Sequence, residues 1–91
     1  MEVMSGISVE ELRAAIAAAM QQVRDGQAAI TAAGERLQGA QQALSAVTRG
    51  SAHHNVTTAQ AALAQANQDL EQSMAATQAA AEQAEAYAAT L

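Results

Sequence analysis

The chain has no cysteine, proline, phenylalanine, tryptophan or lysine, and Tyr87 is its one aromatic residue. Without cysteine there is neither a disulfide framework nor thiolate chemistry, although this alone assigns no compartment. A β-sandwich or compact α/β domain draws on β-branched and aromatic residues for strands and on proline and glycine for turns, and none of these is present in quantity. Four arginines stand against nine acids, for a net charge of -5, which argues against a surface that neutralises nucleic-acid phosphates. Apolar runs are short as well. The longest, Ala14 to Met20, falls far below the roughly 20 residues of a membrane-spanning helix, so no membrane insertion is expected. Met1 to Glu11 carries acids and no basic segment ahead of an apolar core. A protein of the cytoplasm, or one secreted without a cleavable signal peptide, is therefore expected.

What the chain does have is alanine, 27 of 91 residues, and glutamine, another 12. The 51% hydrophobic fraction is thus mostly methyl groups, and long helices are the structure such a composition suits. Ser8 followed three residues later by Glu11 is a capping box, with Ile7 and Leu12 at the positions of a hydrophobic staple. From there Val9, Ile16, Val23, Ile30, Leu37 and Leu44 recur every seven residues. Leu12, Ala19, Gly26, Ala33, Ala40 and Val47 supply the alternate spacing of a coiled-coil stripe. Arg49 and Gly50 read as a cationic last turn and a left-handed cap. Gly50, Ser51, His53 and His54 then form the turn, with Ser51 or Asn55 capping the second helix. Val56, Leu63 and Leu70 resume the spacing, continued by Thr77, Ala84 and Leu91 and interleaved with Ala59, Ala66, Ser73, Ala80 and Tyr87.

The fold class is therefore all-α: one domain over 1–91, an antiparallel two-helix coiled-coil hairpin. Its parts are a frayed 1–7, a helix over 8–49, a turn over 50–55 and a helix over 56–91. Setting Val47 against Val56 pairs Leu44 with Ala59, Ala40 with Leu63, Leu37 with Ala66, Ala33 with Leu70, Ile16 with Tyr87 and Leu12 with Leu91. Large faces small at most levels, and Gly26 with Thr77 is the weak one. Arg36 then falls beside Asp69, Gln22 beside Gln83 and Gln41 beside Gln60. Because a two-helix rod buries one side of each helix, a second layer is expected. Met20 and Met74, just outside the seam, are its candidate interface, forming a four-helix bundle as a homodimer or with a related hairpin.

No constellation points to catalysis. His53 and His54 lie next to each other with no carboxylate nearby in sequence to complete a metal set, and read as solvated turn residues. Their protonation would place positive charge at a helix N-terminus, where it is disfavoured. Glu82 and Glu85 share a helix face, but that face offers no apolar pocket to raise a carboxyl pKa. With no phosphate-binding loop, no nucleophile beside a base and no concavity, neither enzymatic activity, cofactor nor metal is expected. A small-molecule ligand has only the Gly26/Thr77 level to recommend it. The second half of the chain carries Asp69, Glu71, Glu82 and Glu85 and no arginine after Arg49, which reads as a solvated face that would also tolerate a basic partner.

Two helices of about equal length around the mid-chain segment Thr48-Arg49-Gly50-Ser51-Ala52 resemble the WXG100 (ESAT-6-like) family of small helical hairpins. Thr48 stands where that family has a tryptophan ahead of the turn glycine. Four residues after Tyr87 stands Leu91, where the family's export signal has an acid. The resemblance implies dimerisation and a role in type VII secretion or beside a toxin. The sequence thus suggests a non-enzymatic interaction module that pairs with itself or a similar hairpin, and alternatively a cytoplasmic adaptor or scaffold docked on a partner enzyme.

Overall fold

The computed structural model describes residues 7–49 and 53–91. Two helices form the fold, α1 over Val9–Val47 and α2 over His54–Ala89, and among the described residues there is no strand. They pack side by side and antiparallel into a rod of 71 × 19 × 15 Å. The radius of gyration is 20.7 Å, against about 12 Å for a compact domain of this length.

The start of α1 is set by its first four side chains. The Ser8 hydroxyl accepts from the Glu11 backbone N–H at 3.0 Å, and the Glu11 carboxylate accepts from the Ser8 N–H at 3.0 Å. The box is closed, and Glu10 and Glu11 put negative charge on the first turn. Ile7 remains 58% exposed, so the staple adds little burial. The other helix ends differ from expectation. The first helix stops at Val47 rather than residue 49 because Thr48 takes the cap. Its N–H and hydroxyl both donate to the Leu44 carbonyl, at 3.0 and 2.6 Å. Arg49 lies beyond the helix, whose last turn holds no basic residue.

The second helix begins two residues early, so His54, expected in the turn, is its first residue. Its N-cap is His53, not Ser51 or Asn55. Extended backbone at His53 lets the ring Nδ1 accept from the Asn55 N–H at 3.2 Å, as an asparagine side chain does at this position. The cap needs the neutral ring, because an imidazolium has no acceptor left at Nδ1. Gly50 and Ser51, and residues 1–6, lie outside the described residues.

One row of the seam is aliphatic: Ile16, Val23, Ile30, Leu37 and Leu44 of α1, with Val56, Leu63 and Leu70 of α2, are all half-buried between the helices. Leu12 and Leu91 are half-buried near the open end. The second row is not the expected one. In place of Ala19, Gly26, Ala40 and Val47, α1 turns inward Met20, Gln27, Gly34, Gln41 and Thr48; in place of Ser73, Ala80 and Tyr87, α2 turns inward Met74, Ala81 and Ala88. Gln60 and Asn67 likewise lie half-buried beside Ala59 and Ala66. Each helix is thus rotated by roughly 50° from the expected setting, the difference between a row three and a row four residues on.

Three seam assignments are corrected. Val47 is 84% exposed, Tyr87 52% and Val9 49%. Met20 and Met74 are corrected too, since they belong to the hairpin's own seam and not to a second interface. At 8% exposure Met20 is the most buried residue described. The physical reason is size: a row of alanine and glycine leaves a gap between two helices, whereas the row four residues on carries long, adaptable side chains that fill it.

The register shifts with the rotation. Gln27 meets Thr77, and Gly34 meets Leu70, with 4.0 Å between a Cβ built on the glycine and Leu70 Cδ1. Facing numbers therefore sum to 104 instead of the 103 expected. The expected weak level of Gly26 against Thr77 disappears: Gly26 has nothing within 4 Å of its Cβ position, and Gln27 closes the level in its place.

Met20→Ala is expected to cost about 2 kcal/mol, the lower end for a buried methionine because the seam is thin. His53→Asp is expected to add about 0.5–1 kcal/mol through a better cap and a favourable charge at a helix start that has no acid in its first turn. Urea unfolding followed by circular dichroism reads both, and opposite signs are required.

Candidate interaction faces

The polar members of the seam are joined across it. Gln27 Nε2 donates to Thr77 Oγ1 at 3.1 Å, and Thr77 in turn donates to the Met74 carbonyl at 2.8 Å. Gln60 Nε2 donates to the Gln41 carbonyl at 3.1 Å and to Ser45 Oγ at 2.9 Å. Asn67 Nδ2 donates to Gln41 Oε1 at 3.2 Å. No half-buried amide among these residues is left unpaired, and no buried side-chain polar atom described lacks a partner. Of this ladder, sequence reasoning placed only Gln41 beside Gln60, at the seam's edge. The available signal was periodic: Gln27 and Gln41 are two heptads apart, and Gln60 and Asn67 one.

The rotation also decides what the rod shows to its surroundings. Ala33, Arg36 and Leu37 of α1 line an open depression together with Ala66, Asp69 and Leu70 of α2. On the opposite side, Thr31, Glu35 and Gln38 line another with Asn67, Glu71 and Met74. Extending each side by heptads separates two faces. The first carries Ala19, Gly26, Ala33, Ala40 and Val47 beside Ala59, Ala66, Ser73, Ala80 and Tyr87. The second carries Ala17, Arg24, Thr31, Gln38 and Ser45 beside Thr57, Ala64, Glu71, Gln78 and Glu85, polar at all but two positions. The residues expected to be the small halves of the seam thus form an apolar outer face, with Val47 near the turn and Tyr87 towards the open end.

The remaining candidates stay apart. His53 and His54 are exposed, and Glu82 and Glu85 lie exposed on α2. Among the described residues no group of three or more His, Asp or Glu side chains is placed to hold a metal ion. None of the described helices is long and apolar enough to cross a membrane. The two depressions between the helices are open to solvent and lined by a mixture of apolar, amide and charged side chains. The outer face from Ala19 to Val47 and from Ala59 to Tyr87 offers mainly methyl groups, suited to apolar packing and not to bond-making chemistry.

No family model, curated protein or solved structure matches the chain.

Replacing both Gln41 and Asn67 with leucine is expected to raise the melting temperature while loosening the pairing, because polar seam residues set register at a cost in stability. Circular dichroism with multi-angle light scattering checks this. The expected result is a higher melting point accompanied by a mixture of association states, and a single unchanged species would contradict it.

Proposed function

We propose that this chain is a non-enzymatic interaction module, a helical hairpin that pairs with itself or with a similar hairpin through a second helical layer. The observation that carries the reading is the thinness of the hairpin's own core: Met20, at 8% exposure, is its one buried residue among those described. The unused apolar face supplies the surface on which a second layer packs. Small side chains along it let helices approach closely, and shape matching then supplies contact that single alanines cannot.

The context we propose is a type VII-like secretion or toxin system. The support is the form: two helices of 39 and 36 residues about a mid-chain connection, as in the WXG100 hairpins that the sequence resembles. A secretion ATPase or a large toxin encoded beside this chain is the expected gene context, and a metabolic cluster would favour docking on an enzyme instead.

Purified protein is expected to sediment as a dimer at micromolar concentration and to melt at a temperature that rises with concentration, since association stabilises only the folded form. A fully helical monomer with a cooperative, concentration-independent melt would overturn the reading.

A further inference from the structure

We infer that the partner on the apolar face is a second copy of this chain, laid face to face with its turn at the same end, so that α1 of each copy lies against α2 of the other. This rests on the hairpin-pairing reading above and adds to it the face, the occupant and the orientation.

Area is the first argument. The chain exposes 6450 Å², whereas a compact protein of 9.3 kDa exposes about 5,000 Å². A rod of 71 × 19 × 15 Å offers on the order of 1,000 Å² on one long face, above the roughly 800 Å² per partner of a stable interface. The largest exposed side chains of this face fit the same arrangement. With facing numbers summing to about 104, Tyr87 lies within two residues of level with the partner's Ala19, and Val47 within two of the partner's Ala59, large beside small at both ends.

Charge decides the orientation. Arg36 and Asp69 flank the apolar face at the same height along the rod, on different helices. Asp69 accepts from Gln65 on its own helix, and among the described residues the Arg36 side chain donates no hydrogen bond to another residue. A two-fold axis along the rod places Arg36 beside the partner's Asp69 and Asp69 beside the partner's Arg36. The same operation sets Gln22 beside the partner's Gln83. Turning the second copy end over end puts α1 on α1 instead, with Arg36 facing the partner's Gln22 and Asp69 the partner's Gln83, so that each charge keeps only its neighbour in its own chain and gains no counterpart across the interface. Rim pairs of this kind select orientation more than they add affinity.

Two measurements on the full chain test this. In sedimentation equilibrium, Arg36→Asp is expected to weaken self-association at least about tenfold, and the double exchange Arg36→Asp with Asp69→Arg to restore most of it. Ala40→Glu, on the apolar face, is expected to abolish association, and Gln38→Glu, on the polar face, to leave it unchanged, with circular dichroism reporting that each variant remains helical. Because the chain has no cysteine, a spin label on a His54→Cys variant reads orientation directly. Turns at the same end place the two labels within roughly 30 Å, a few helix diameters, while end-over-end packing separates them by roughly 60 Å. A dimer with the long distance, or one indifferent to Ala40→Glu, overturns this inference and leaves hairpin pairing standing. A helical monomer overturns both.

Discussion

Two long helices hold each other only along the strip where they touch, and the contents of that strip set the properties of this molecule. With 27 alanines in 91 residues, an arbitrary side of either helix offers little more than methyl groups, and each buried methyl contributes under about 1 kcal/mol. The helices therefore meet where the long side chains are. Met20 sits at the best-covered point of the seam, and the aliphatic row from Ile16 to Leu44 runs alongside it. Burial stays shallow everywhere else, which leaves a rod with more surface than a compact protein of its mass.

The polar part of the seam solves a problem that the aliphatic row creates. A stripe repeating every seven residues matches its partner almost as well after a slip of one heptad, so apolar contacts alone leave the register weakly specified. The bonds of Gln27 to Thr77 and of Asn67 to Gln41 break that degeneracy. A slipped seam sets Gln27 against Leu70 or Ala84 and leaves its amide half-buried without a partner. Such an amide costs about 1–3 kcal/mol, comparable to or larger than the net contribution of the bond when formed. Glutamine in this chain is thus part of the recognition between its helices as well as a solubilising residue on the surface.

Much of the architecture was legible in the residues. The two-helix hairpin followed from composition and heptads, and the start of α1 from Ser8 and Glu11, because capping is local chemistry between side chains three residues apart. The candidate face was not legible. Reading by hydrophobic class ranked Ala19, Ala40 and Ala80 above Gln27, Gln41 and Asn67 for the interior, whereas two helices in contact rank them by the space they fill and the partners they find. The same difference moved Met20 and Met74 into the seam and Tyr87 and Val47 out of it. The cap of α2 went to His53 for a related reason: whether an imidazole caps a helix depends on the backbone angle at which the chain enters it.

The sequence by itself determined that the chain forms long helices, that they turn back on each other near the middle, and which aliphatic row lies between them. These are consequences of propensity, capping and period, all of which act over a few residues. The tertiary structure decided the rotation of each helix about its own axis, and with it which amides are paired and which alanines face outward. That choice depends on volumes and hydrogen bonds contributed by the opposite helix, dozens of residues away along the chain. The same rotation that fills the gap around Met20 carries Ala19, Ala40 and Ala80 to one outer face, so the internal packing and the composition of that face were settled together.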